Sequence, residues 1–295
     1  MPEVLEEVIQ FLQESEVVLV VVGAELSRPS GLPTFREDPG FWGHTIEEIA
    51  TKGAFDRNPA QVWNLYERMR LLALDATPNE GHLALARLSK AKPSCLTVTQ
   101  NIDELSTDAG HRLGTLQALH GSLFDLKCAN DDCAFKGRNV NRRTFDLLVC
   151  PECRSYLRPG VIWFGERLPL DVVQQIEAWL EFHERIDMVL VVGTERTPYL
   201  HDALLRGAKV AWFNKLEGHV EDMGDADWVV DGDASITLPY VIDSALPETP
   251  PKSSSYVPFR RDPHFVERAP LTDQTHAKLS EPAGRAALVG LGGVG

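Results

Sequence analysis

Five short runs of the chain carry a continuous apolar pattern rather than an alternating one: VVLVVVG (17–23), CLTVTQN (95–101), MVLVVGT (188–194), KVAWFN (209–214) and DWVV (227–230). Strands buried on both faces read this way. Stretches with helical periodicity, such as 60–74, 79–90 and 171–183, separate them. Strand-helix-strand alternation predicts an α/β fold with a parallel, Rossmann-like sheet and helices on both faces. Ahead of the first run, Val4, Leu5, Val8, Ile9, Phe11 and Leu12 fall near helical spacing, so an amphipathic helix opens the chain. Three runs end in small or polar residues: Gly23, Gln100-Asn101 and Gly193-Thr194. Open α/β sheets bind ligands beyond the carboxyl ends of their strands, so these three ends are expected to line one crevice.

The alternation breaks between 125 and 160, where four of the five cysteines lie. Four residues separate Cys128 from Cys133, two separate Cys150 from Cys153, and sixteen lie between the pairs. Two cysteine hairpins at this spacing suit a tetrahedral thiolate zinc site. An intracellular chain disfavours the rival reading of two disulfides. With no His between the pairs and no ligand position left for water, the metal is expected to be structural. It stands in for the core that a polar stretch such as NDDCAFKGRNVNRR cannot build. Cys95, inside an apolar run, reads as a buried core thiol. Further on, LPETPPKSSSY (246–256) reads as a linker.

Composition narrows the class. The 295 residues are 43% hydrophobic and 24% charged, which is globular, and the net charge is −14. An acidic mean field does not attract nucleic acid or an anionic membrane. No apolar run reaches the ~18 residues that span a bilayer, and the N-terminus lacks the marks of a signal or transit peptide. The expectation is an intracellular protein, cytoplasmic in the first instance, with nucleus and mitochondrion also open.

The first strand runs into VVGAELSRPSGLPTFRE (21–37). TQNIDELSTDAG (99–110), LHGSLFDLKC (119–128), the cysteine pairs and LRPGVIWFGE (157–166) follow in that order. This succession, from about residue 15 to 245, resembles the sirtuins, the NAD-dependent protein lysine deacylases. PTFR, the LSxxAG form and the residues around Tyr66 are most similar to the class that removes acidic acyl groups, and especially to its fungal members.

The resemblance implies a sirtuin domain over 1–245, with a large Rossmann-like part (1–124 and 165–245) and a small zinc module (125–164) held by Cys128, Cys133, Cys150 and Cys153. It implies a transferase that uses NAD, moves the acyl group of a protein lysine to ADP-ribose and releases nicotinamide. His120 would be the general base, suited by an imidazole pKa near the working pH. Asn101 and Asp103 would hold the nicotinamide ribose and carboxamide, with Gln100 and Ile102 beside them; both could also cap a helix starting near Glu104. Gly23, Ala24, Ser27, Thr34, Phe35 and Arg36 would belong to the cofactor loop, with Phe35 shielding the reacting carbon. Gly193 and Thr194 would meet phosphate, and Asn214 the adenosine ribose. Val161 to Glu166 would form an edge strand pairing with substrate backbone, with Trp163 and Phe164 at the substrate. Ala50 and Tyr66 would line a wide acyl pocket.

Three positions depart from the family pattern. Where the family loop reads Gly-Ala-Gly, this chain has Gly23-Ala24-Glu25; where it reads Gly-Thr-Ser, this chain has Gly193-Thr194-Glu195. Each puts a carboxylate on the pyrophosphate side. Two unit charges at ~4 Å repel by ~4 kcal/mol at an effective dielectric of ~20, about a thousandfold in affinity, unless the side chains point to solvent. Met69 occupies the arginine position of the acid-acyl class, and Arg68 and Arg70 lie about 100° away around the helix. Neutral acyl groups are therefore the expected substrates. Two rival readings stay open: an NAD-hydrolysing effector domain, and a catalytically impaired sirtuin-fold binding module.

The C-terminal segment is of another kind. After a linker at 246–270, residues 271–295 end in AALVGLGGVG, the GxxxxG half of a Walker A loop without its lysine. With FVER before it, the segment resembles the start of the nucleotide-binding domain of fungal NOD-like receptors. That would make the chain the effector part of a signalling ATPase; the plainer reading is a disordered tail.

Overall fold

Every apolar run becomes a strand. β1 (Val17–Val22), β2 (Ser94–Thr99), β3 (Leu116–Ala118), β7 (Met188–Val192), β8 (Lys209–Asn214) and β9 (Trp228–Asp231) form one sheet in the order β3-β2-β1-β7-β8-β9. All its pairings are parallel. From β1 the chain steps outward through β2 and β3 on one side, then through β7, β8 and β9 on the other. The order reverses between β1 and β7, the switch point at which such sheets open a ligand crevice. Val22 lies opposite both Thr99 and Val192, so β1, β2 and β7 end at one level.

Both faces of the sheet are covered. Val18, Val20 and Val22 pack with Val8 and Leu12 of the opening helix Pro2–Glu14, with Leu85 and Leu88 of Glu80–Ala91 and with Leu238 and Ile242 of Ala234–Ala245. Leu19 and Val21 point the other way, onto Ile176 and Leu180 of Leu170–Phe182 and onto Ala203 of Leu200–Leu205. This is the physical reason for the unbroken apolar runs: alternate residues face different cores, and both are dry. Each fully buried valine or leucine contributes roughly 1.5–3 kcal/mol.

A computed structural model describes residues 2–34, 46–138, 147–194, 198–215 and 226–246, all within one unit, Met1–Pro247. Phe35, Arg36, Glu195 and the segment 247–295 lie outside the described residues. Among those described, no helix is long and apolar enough to cross a membrane.

A second, antiparallel sheet is built from β4 (Gly121–Cys128), β5 (Lys136–Arg138) and β6 (Leu157–Val161), in the order β5-β4-β6. Its core takes Phe55 from helix Lys52–Arg57 and Trp63, Leu65 and Tyr66 from helix Pro59–Asp75. That longer helix starts with Asn58 as cap, its side chain accepting from Gln61 N at 3.2 Å, and Pro59 in its first turn. At the crossing of β4 and β6 the backbones nearly touch. A Cβ on Gly121, whose φ is +76°, would lie 2.2 Å from Gly160 O, so only glycine fits.

The segment Val161–Glu166 differs from the expected edge strand. β6 ends at Val161, and a turn follows in which Glu166 N donates to Trp163 O at 3.0 Å and Gly165 takes φ +83°. Ile162 N donates to His120 O and Phe164 N to Ala50 O, both at 2.9 Å, and Trp163 N to Glu166 Oε2 at 2.9 Å. Those three donors are engaged within the chain.

Candidate functional site

The ends of β1, β2 and β7 meet in a web of short contacts. Gly23 N donates to Val192 O at 2.9 Å, and Glu25 N to Gly193 O at 3.1 Å. A Cβ on Gly23 would lie 2.4 Å from Thr194 Cβ, and one on Gly193, at φ +62°, would lie 2.6 Å from Leu26 N. Glycine at 23 and 193 thus lets the two loops close on each other. Gln100 Nε2 donates to Thr194 Oγ1 at 3.1 Å, and Asn101 Nδ2 to Gly23 O at 3.0 Å. Residues from all three strand ends are therefore joined directly. Ala24 begins a short 3-10 turn, Ala24–Leu26.

Beneath this web runs a buried polar relay. Asn101 Nδ2 donates to Ser27 Oγ at 3.1 Å, and Ser27 Oγ donates to Asp103 Oδ2 at 2.7 Å. His82 Nε2 stands 3.3 Å from the same hydroxyl. The tautomer follows from the other ring nitrogen: Nδ1 accepts from Asn79 N at 3.3 Å in a capping box at the start of helix Glu80–Ala91, so Nε2 carries the proton and donates. Burial pushes the His82 pKa down to about 4, so the ring is neutral near pH 7. Burial also pushes the Asp103 carboxyl up, partly offset by the bonds from Ser27 Oγ and Leu105 N. Asp103 stays in the loop ahead of the helical turn Leu105–Asp108. Thr34 is buried, and Ile102 O accepts from Leu123 N at 2.9 Å.

His120 sits at the head of β4, half-buried. Its Nδ1 lies 3.1 Å from Gln100 O. A carbonyl only accepts, so Nδ1 carries a proton, and Nε2 is the nitrogen that bears the lone pair whenever the ring is neutral. That bond fixes the ring to the end of β2 and gives it the tautomer a general base needs.

On the other side of His120, Trp163 is buried against Phe55 and Tyr66, with ring centroids 5.3 and 6.4 Å away. Burial raises the Tyr66 pKa strongly, so the phenol stays protonated. Ala50 is buried beside this cluster, Met69 packs on it half-buried, and Phe164 is half exposed. Behind the indole, the Arg158 guanidinium stacks on Trp163, its carbon 3.3 Å from the ring centroid. Glu166 takes Arg158 in a fork, with Nη2 to Oε2 at 2.8 Å, and Lys127 Nζ at 3.3 Å. Burial alone would raise the Glu166 pKa; the bonds from Arg158 and Trp163 N outweigh it and hold the carboxyl at about 2.

Of the two carboxylates expected on the pyrophosphate side, Glu25 is described. Its Oε2 stands 3.6 Å from Arg28 Nη1. Both line a cavity of about 280 Å³ together with Asn214, at the end of β8, and with Lys215 and Asp233, whose own charges are 3.5 Å apart. The negative charge thus has a cation within its own loop, in a partly exposed pair that water screens.

The four cysteines converge. The sulfurs of Cys128, Cys133, Cys150 and Cys153 all lie within 4.8 Å of one another, with Cys128–Cys153 at 3.3 Å and Cys133–Cys150 at 3.7 Å. Four thiolates around a zinc at about 2.3 Å would stand roughly 3.8 Å apart, so the donor set fits zinc in both chemistry and spacing. Cys95 is buried in the main core.

Sequence reasoning did not single out His82, Glu104, Ser122 or Arg158. His82 had a signal in its spacing from Asn79, the capping-box interval. Arg158 had one too, as a charge inside an otherwise buried strand. Glu104 had none, because a left-handed backbone is not written in a glutamate.

Comparison with known proteins places these features. The profile of the Sir2 family matches residues 23–197. The chain is 36% identical over 299 aligned positions to an NAD-dependent protein deacylase of Candida albicans, covering 81% of this chain and 96% of that protein. It is 36% identical to an NAD-dependent protein deacylase of Pyrococcus abyssi, covering 80% of this chain and 96% of the relative. Among solved structures, a Sir2 homologue in complex with NAD superposes with a TM-score of 0.73 at 31% identity, over 81% of this chain and 93% of that one.

Proposed function

The chain belongs to the Sir2 family, and from that membership we propose how its residues work as an NAD-dependent protein lysine deacylase. Such an enzyme moves the acyl group of a lysine to ADP-ribose and frees nicotinamide and the amine. The observation that carries this reading is the convergence of Gly23, Gln100, Asn101 and Thr194 at one level, with His120 bonded to the same strand end.

NAD supplies a ribose carbon whose bond to nicotinamide breaks as the acyl oxygen attacks. His120, through Nε2, takes the proton of a ribose hydroxyl. Asn101 and Asp103, with Gln100 and Ile102, hold the nicotinamide ribose and carboxamide, and the relay through Ser27 keeps both side chains aimed. Gly23, Ala24, Ser27, Thr34, Phe35 and Arg36 are assigned to the cofactor loop. Gly193 and Thr194 receive phosphate, where glycine gives the backbone close approach, and Asn214 meets the adenosine ribose from the cavity it lines. Cys128, Cys133, Cys150 and Cys153 would hold a structural zinc.

The acyl group enters over Trp163, between Ala50, Tyr66 and Val161, with Phe164 at the mouth. Met69 offers no charge there, which supports neutral acyl groups over acidic ones, although Tyr66 and the LSxxAG form support the likeness to the acid-acyl class and its fungal members. The likeness of 271–295 to a receptor ATPase rests on sequence alone. An NAD-hydrolysing effector is not favoured over deacylation.

The test is mass spectrometry of an acetyl-lysine peptide incubated with protein and NAD. Loss of the acetyl group that vanishes in His120→Ala supports the reading. Full activity in that variant removes the role of His120, and an untouched peptide with the wild-type protein removes the deacylase.

A further inference from the structure

Glu104 takes φ +64° and ψ 8°, one of three non-glycine residues with positive φ among those described. A side chain with a Cβ is costly in that conformation, so the neighbourhood has to hold it. Two contacts do. Ser122 Oγ donates to Glu104 Oε1 at 2.5 Å, and Arg138 Nη2 donates to Glu104 Oε2 at 2.8 Å. Arg138 is itself anchored, with Nη1 3.2 Å from Asp125 Oδ1. Leu123 N donates to Ile102 O beside them.

Glu104 directly follows Asp103, and Ser122 stands two residues after His120. The carboxylate therefore bridges the loop that leaves β2 and the strand β4 that begins beside the proposed base. Arg138 extends the bridge to β5 of the antiparallel sheet. We propose that Glu104 is a positioning residue: its carboxylate, clasped by Ser122 and Arg138, sets the spacing between the Asn101–Asp103 loop and His120.

The inference rests on the deacylase reading, so wild type is assayed in parallel. Steady-state kinetics on the whole protein compares wild type with Glu104→Gly, Glu104→Gln, Arg138→Ala and the Glu104→Gly/Arg138→Ala pair, alongside Tm and bound zinc. Glycine at 104 removes the clasp and the unfavourable φ together, so Tm and zinc content are expected to stay close to wild type. A misplacement of about 1 Å costs up to about a hundredfold in rate; we expect kcat to fall about tenfold in Glu104→Gly and less in Glu104→Gln, with KM for the peptide little changed. The double variant is expected to be no slower than Glu104→Gly, since both remove one clasp. An active wild type with equal kcat in Glu104→Gly overturns the inference, as does a kcat loss matched by a falling Tm or lost zinc. Should Glu104→Gly fail to fold, Glu104→Gln decides by the same criteria. An inactive wild type overturns the deacylase reading instead.

Discussion

The two sheets are stabilised by different physics. The parallel sheet is dry on both faces, and β1 alone places Val18, Leu19, Val20, Val21 and Val22 at zero exposure. The ionisable groups of the relay at its carboxyl edge are His82, held neutral, and Asp103, whose charged form is disfavoured. The antiparallel sheet has one apolar core, shared with two helices, and adds charges and thiols to it: four clustered cysteines, the Arg158–Glu166 fork and the buried Arg70–Glu67 pair at 2.9 Å. Apolar layers fix a site by shape and tolerate changes of ionic conditions. A lobe made of ion pairs and metal ligands responds to pH and chelators. The proposed active site joins the two, with His120 at the seam.

Removing the metal is the largest way to sharpen this contrast. Chelation, or Cys150→Ala, is expected to unfold the antiparallel lobe and abolish activity, because a structural zinc contributes folding energy outright. Hydrogen exchange should rise over 121–161 while β1 and β7 stay protected; uniform loss of protection would break the contrast.

Next comes Arg158→Met. It leaves the Glu166 carboxylate without its main partner, which costs about 2–4 kcal/mol after allowing for the partial exposure of Glu166. Thermal unfolding measures it, and a stability equal to wild type would show that the fork contributes little.

Acid should separate the lobes by pH window. His82 has a folded pKa of about 4 against 6.5. The unfolded state therefore binds more protons between those values, and stability falls as pH drops from 6.5 towards 4, by about 3 kcal/mol. Glu166, at about 2 against 4.5, contributes stability that is present above 4.5 and lost as pH falls towards 2. Denaturant titrations at several pH values should show His82→Gln flattening the upper window alone.

The smallest effect belongs to Glu25. Both it and Arg28 are about one-third exposed, so water screens the pair. Glu25→Gly is expected to lower KM for NAD a few-fold, and Arg28→Ala to raise it by a similar factor. Unchanged KM in both would mean that neither charge faces the ligand.

Much of the fold and of the site is legible in the residues alone. Continuous apolar runs name the strands because a doubly covered sheet leaves no alternation to read. The cysteine spacing names the metal cluster, and small or polar strand ends name the crevice. What the residues do not disclose depends on three-dimensional partners. The tautomer of His82 is set by Asn79, the low pKa of Glu166 by Arg158, and the left-handed turn at Glu104 by Ser122 and Arg138. The turn after Val161 is hidden because WFGE reads as a strand until Gly165 takes positive φ and the Glu166 carboxylate folds back onto Trp163 N.

The central claim is that the ends of β1, β2 and β7 hold NAD against an imidazole and an acyl-lysine together. Counting nicotinamide released from NAD by the whole protein, with and without acyl-lysine peptide, tests it most directly. The account predicts one nicotinamide for each lysine freed and almost none without peptide. Equal release in its absence, or none in its presence from folded, zinc-loaded protein, would contradict it.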